Sequence, residues 1–238
     1  MADRGAVTRA VLAIARGDVD DRALAMRICR ECVDGLAVDG AAISLLTGSA
    51  ARHTLAATDE TAQLLEDLQF TLNEGACMEA AASGRPVLVP DLLHSGEVAR
   101  WPIFAAAVIE RSPVRALFAL PLQWGAVNLG VLDLYRVTPG GLGDEQLLDV
   151  ISTTDIAALM MLGLRTDPDH GDVGWLDHAV AHRAEVHQAT GMVSVQMGVN
   201  VLEALALMRA HSFARDRLLI EVARDVVARR LAFTDEME

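Results

Sequence analysis

Between Val186 and Val227 the apolar residues recur at spacings of three and four, and the repeat is broken twice. Ala204, Leu207, Met208 and His211 follow one helical repeat; Leu219, Val222, Ala223 and Val226 follow another. Gly198 and Asn200 punctuate the first boundary, and Arg215, Asp216 and Arg217 mark the second. The pattern predicts three short helices, each too short to be stable unless it packs on the others.

This stretch resembles the ANTAR domain, an RNA-binding module of transcription antitermination regulators. Gln188 and Ala189 precede Gly191, Gly198 follows seven residues on, and Ala204, Leu207-Met208-Arg209, Leu219 and Val222-Ala223 complete the signature. The resemblance implies close helix contacts at Gly191 and Ala204. Arg209 matches a basic position of the motif. The chain departs from the family at Thr190, commonly basic, and at Ser194 and Gln196, commonly Met and Arg.

Charge is unevenly distributed. The 238 residues carry a net charge of −13, and all 20 basic residues are Arg. Residues 1–170 hold −10 of it, whereas residues 178–233 are at +2. Only the C-terminal part approaches a polyanion without strong repulsion. Three cysteines, Cys29, Cys32 and Cys77, give no disulfide framework and fit a reducing compartment. The N-terminus has no signal-peptide apolar region, and the longest uncharged run, Ala116 to Leu132, is interrupted by Pro121 and Gly125. The expectation is a cytoplasmic protein with no membrane partner.

The rest of the chain alternates helical and strand patterns. Thr8 to Leu36 reads as helical with a break near Gly17-Asp18, and Asp18 or Asp20 as a cap. Leu24, Ile28, Cys32 and Leu36 form the buried stripe of the second piece. A hairpin is expected over Ala41–Leu46 and His53–Thr58. Asp59 or Thr61 caps a helix over Ala62–Leu68. A short helix from Cys77 stops at Gly84, and a strand runs Val87–Val89. Then come a helix from Trp101 to Glu110 and strands at Val114–Trp124 and Val127–Val137. In the last, Leu129, Val131, Asp133 and Tyr135 are expected on one face. Asp144 is read as the cap of a long helix with Leu147, Ile151, Thr154, Ala158 and Leu162 on one stripe.

That order predicts an antiparallel sheet with helices packed on it, an α+β fold, followed by the all-α unit. The first part resembles a GAF domain, a small-molecule sensor and dimerisation module. The matching segments are Asn73-Glu74-Gly75-Ala76-Cys77, Gly84-Arg85-Pro86-Val87, Pro90-Asp91 and the hairpin Ala119–Leu122 with Leu129–Leu132. The expected domains are a sensor at 8–165, a linker at 166–174 and the ANTAR part at 175–233.

No catalytic motif is present. Gly141 and Gly143 lack the third glycine of a dinucleotide loop, and without Lys neither Schiff-base nor phosphate-loop lysine chemistry is available. Cys29 and Cys32 share a helix face but have no second pair for zinc, so both read as core residues. His178, His182 and Glu185 have helical spacing compatible with a metal, but a solvated polar face explains them more simply. No cofactor or metal is expected.

The remaining candidates are arginines. Arg209, Arg215, Arg217, Arg224, Arg229 and Arg230 cluster in the last helices. Guanidinium groups pair with phosphate and stack on bases, so Arg209, Arg215, Arg217 and Arg224 are the candidate RNA contacts. The resemblance implies binding of paired RNA hairpins in nascent leader transcripts, with antitermination as the output. A homodimer is expected with the Asp144–Leu164 helix as a main contact, because its apolar residues, including Leu159 and Met160, cover more than one stripe; Glu at Ile151 and Ala158 is expected to disrupt it. A small-molecule ligand of the GAF part is left open. Thr190, Ser194, Gln196 and the overall acidity keep a second reading open: a non-enzymatic sensor or interaction protein whose ANTAR part has lost RNA affinity.

Overall fold

A computed structural model describes residues 5–14, 21–46, 52–125, 127–166 and 174–234; the side chains of residues 14, 21, 52, 95 and 162–184 are outside it. The expected break at Gly17-Asp18, with its capping aspartates, and the side chains of His178 and His182 therefore lie outside the described residues.

Helices α1 (Ala6–Ile14) and α2 (Asp21–Leu36) precede the hairpin β1 (Gly40–Leu46) and β2 (Arg52–Ala57). Helices α3 (Glu60–Leu72) and α4 (Ala76–Ser83), strand β3 (Val87–Val89), and helices α5 (Ser95–Arg100) and α6 (Pro102–Arg111) follow. Strands β4 (Ala116–Trp124) and β5 (Val127–Arg136) lead into α7 (Asp144–Thr166). Three further helices, α8 (Gly174–Met197), α9 (Val201–Ala214) and α10 (Leu219–Val227), complete the described chain.

The five strands form one antiparallel sheet in the order β2-β1-β5-β4-β3. Alternation along β4 sends Ala116, Phe118, Leu120 and Leu122 to one face, against α1, α2 and α7. Leu117 and Ala119 go to the other, against α3, α4 and α6. The α2 stripe of Leu24, Ile28, Cys32 and Leu36 is buried as its spacing implies. Fully burying a side chain such as Phe118 or Leu120 contributes on the order of 1.5–3 kcal/mol.

One strand departs from simple alternation. Leu122 pairs with Gly130 but Gln123 pairs with Asn128, so β5 carries an extra residue at Leu129. Leu129 thereby turns into the α2–α7 core, while Val131 and Tyr135 face the opposite core. The expectation that Leu129 shares a face with Val131 is corrected by this bulge. Gly130 is required beside it: a Cβ there would overlap the Ser44 carbonyl oxygen of β1.

Local signals set several boundaries. Asp59 is the N-cap of α3, its carboxylate accepting from the Ala62 amide at 2.9 Å. Asn73, in the left-handed region, ends α3, and Gly84 ends α4. Glu74 accepts from the amides of Ile103 and Phe104 and so satisfies the start of α6. Asp144 is the first residue of α7 rather than its cap; the Gln146 side chain accepts from the Gly143 amide.

Candidate nucleic-acid interface

The last three helices enclose a core of Val186, Ala189, Val193, Ala204, Met208, Leu219, Val222, Ala223, Val226 and Phe233. From Glu185 onward α8 meets α9 at 102°. Gly198, at φ +64°, makes the reversal, and Asn200 caps α9 reciprocally with Glu203. Leu207 is partly buried against this core.

Gly191 is the exception among the motif residues. It lies on the exposed face of α8, and a Cβ there would meet nothing within 4 Å. Among the described residues the close helix contact expected at Gly191 is absent, whereas Ala204 is fully buried in the bundle core.

The three departures from the motif all form internal hydrogen bonds. The Thr190 hydroxyl donates to the Val186 carbonyl at 2.6 Å, buried against Met208. The Ser194 hydroxyl donates to the Val199 carbonyl at 2.6 Å, tying α8 to the turn. The Gln196 side chain accepts from the Phe233 amide at 3.0 Å and holds the tail after α10.

The arginines have different surroundings. Arg215 is exposed, and no ion pair engages it among the described residues. Arg217 bonds Asp225 at 2.8 Å, and Arg224 bonds Glu185 at 2.9 Å. Burial, and then Arg215 and Arg217, hold His211 below its usual pKa range. Arg209 points elsewhere. Its guanidinium lies 5.3 Å from the ring centre of Phe70, and its Nε is buried without a hydrogen-bond partner.

Phe70 belongs to α3, yet it packs into the core of the last three helices. Thr71 beside it accepts from the Leu219 amide at 3.1 Å. Arg111 at the end of α6 is ion-paired with Asp216. Between these contacts lies a cavity of about 360 Å³. The sequence reading missed this junction because it ended α3 at Leu68, before Phe70 and Thr71. The available signal was an aromatic residue lying off the inward stripe of Leu65 and Leu68.

Within the sheet unit, Glu66, Cys77 and Asp133 bring ligand-capable atoms within 4.8 Å of one another. Glu66 also accepts from the hydroxyls of Ser44 and Thr54. The adjoining cavity measures about 10 Å³, room for a single water-sized occupant.

Residues 20–163 match the GAF domain family, more than half of the chain, and residues 176–227 match the ANTAR domain family. The chain belongs to the GAF family and carries an ANTAR domain behind it. The GAF domain of an Acinetobacter phosphoenolpyruvate-protein phosphotransferase is similar in structure, with a TM-score of 0.53 and 12% identity, over 67% of this chain and 92% of that one. The GAF domain of the corresponding Coxiella burnetii protein gives 0.53 at 11% identity over the same shares, 67% and 92%. At such identities the likeness speaks for the fold alone. No curated protein matches the chain. A GAF domain followed by an ANTAR domain is the organisation of a regulator, a sensor joined to an RNA-binding module. No single helix among the described residues is long and apolar enough to cross a membrane.

Proposed function

We propose that this GAF–ANTAR protein is a transcription antitermination regulator whose ANTAR domain, residues 175–233, binds paired RNA hairpins in nascent leader transcripts. The sensor domain is residues 8–165, and 166–174 link the two. The observation that carries this reading is the α9–α10 turn, where Arg215 is exposed and no ion pair engages it among the described residues. Arg217 and Arg224 flank it, and their ion pairs are exchangeable for phosphate contacts. Arg209 contributes only after it leaves Phe70. The protein acts as a cytoplasmic homodimer, so that two ANTAR domains engage two hairpins with high effective concentration.

The test is hairpin binding as a function of salt. Each lost phosphate contact lowers the slope of log affinity against log salt by about 0.7–0.9. Arg215→Ala, Arg217→Ala and Arg224→Ala each reduce that slope in the full chain, whereas Arg209→Ala leaves it unchanged while the domains are docked. No hairpin binding by the wild-type chain, even at low salt, refutes the RNA reading.

A second reading rests on a specific observation. Thr190, Ser194 and Gln196 are all engaged in internal bonds, and Arg209 is held by the GAF domain. A sensor or interaction protein with an ANTAR domain that no longer binds RNA has the same structure. A flat salt response with no enriched hairpin supports it.

A further inference from the structure

The cavity beside Glu66 and Asp133 in the GAF domain, at about 10 Å³, holds no more than a water-sized occupant. The volume lies instead at the domain junction. The cavity there, about 360 Å³, is more than twice an apolar cavity of about 150 Å³ that takes up benzene. It falls within the range of about 300–1,000 Å³ typical of small-molecule sites.

Its walls come from both domains. Leu68 and Leu72 of α3 with Ile103 and Ala106 of α6 face Phe213 of α9 and Leu218 before α10. The walls are pinned at two places, by the buried bond from the Leu219 amide to Thr71 and by the Arg111–Asp216 ion pair. Collapse is therefore resisted, because α3 and α6 are anchored by the sheet core through Leu65 and Phe104. Two large apolar side chains remain open at the mouth, Phe213 at 59% and Ile103 at 38% exposure.

The charged groups at the cavity balance. Glu110 and Asp216 are matched by Arg111 and Arg217, and Arg111 and Arg217 are already ion-paired. A charged occupant gains no net attraction from such a rim and loses its hydration. A neutral one gains apolar contact from both walls and covers Phe213 and Ile103.

We propose that this junction cavity is the binding site for a neutral, largely apolar small molecule, and that its occupancy holds the ANTAR domain against the GAF domain. A ligand that touches both walls binds the docked arrangement better than a separated one, and shifts the equilibrium by that difference. Docking keeps Arg209 on Phe70. The binding claim is independent of whether the ANTAR domain contacts RNA.

The test uses N-phenyl-1-naphthylamine, a neutral apolar fluorophore, with the full chain. The wild type is expected to take up one probe per chain in a saturable titration. Ala106→Trp fills the cavity from an exposed helix position, and Phe213→Ser removes an exposed apolar wall, so neither disturbs a buried core. Each weakens uptake by about tenfold or more. Val127→Ser, at an exposed apolar residue of β5 outside the cavity lining, leaves uptake unchanged. Bound probe also slows hydrogen exchange of the Leu219 amide. Non-saturable uptake, uptake by Ala106→Trp and Phe213→Ser equal to that of the wild type, or loss of uptake in Val127→Ser overturns the site. Unchanged exchange at Leu219 with probe bound overturns its control of docking.

Discussion

The amide of Leu219, the first residue of α10, donates its hydrogen bond to the hydroxyl of Thr71 in α3 at 3.1 Å, where both residues are buried. The first amides of a helix have no partner within it, so a side chain of the GAF domain caps a helix of the ANTAR domain. Thr71→Val keeps the shape and removes the acceptor. The stranded amide costs about 1–3 kcal/mol. Denaturant unfolding of the full chain is expected to show that loss, with faster hydrogen exchange at Leu219. Thr71→Ser, which keeps the hydroxyl, restores both. An unchanged midpoint in Thr71→Val would mean the bond does not contribute to docking.

The two small motif residues of the ANTAR domain respond in opposite senses. Gly191 is exposed with open space about its Cβ position and no left-handed backbone. Gly191→Ala is expected to stabilise the chain by about 0.5–1 kcal/mol through helix propensity and a less flexible unfolded state. Ala204 is fully buried in the bundle core. Ala204→Leu overpacks it and costs about 1–3 kcal/mol. Thermal melts of the two variants, run side by side, check the signs.

The α2 thiols give the GAF domain an alkaline limit. Burial, then the charges of Asp149 and Glu31, push Cys32 from 9.0 up to about 12. Burial and neighbouring Cys32 push Cys29 up as well. The folded state therefore holds these protons after the unfolded state has released them. Stability is fully present below the unfolded thiol range and is lost as pH rises from about 9 towards 12. Urea midpoints measured at rising pH are expected to fall less steeply in Cys32→Ala. At pH 8 a disulfide reagent labels neither thiol until urea unfolds the chain.

The structure keeps Leu159 of the expected α7 dimer surface exposed and corrects the choice of Ala158. Ala158 is fully buried in the α2–α7 core and so is not available to a partner, and Ile151 is partly buried against that core. Leu148 and Leu159, at 67% and 44% exposure, are the exposed apolar residues of this helix among the described side chains. Leu148→Glu with Leu159→Glu is expected to convert the proposed homodimer to a monomer by light scattering without lowering the melting temperature. Ala158→Glu is expected to unfold the GAF domain, because it buries an unpaired charge. A monomeric wild type at micromolar concentration would remove the dimer from the proposal.

Much of this architecture was legible because its signals are local. The caps at Asp59 and Asn200 and the left-handed Gly84 and Gly198 act within one turn of where they occur. The α2 and α10 stripes follow directly from helical spacing. What escaped was set at a distance. The bulge at Leu129 depends on how β5 registers against β4, which no property of β5 alone determines. Arg209 matched a basic motif position, but its position on Phe70 depends on a helix about 140 residues earlier. Glu66 and Asp133 gave no sequence signal of meeting Cys77 on the α3–α4 face of the sheet.

Phe70 completes the ANTAR core from outside the ANTAR segment. The border between the two domain sequences is therefore not the border between the two hydrophobic cores. A graft that moves residues 175–233 onto another sensor would leave behind part of its own interior, replacing an aromatic ring with a void. Exchange by recombination meets the same constraint. A compatible donor must present an aromatic residue followed by a hydroxyl at the outer end of its α3, as Phe70 and Thr71 do here.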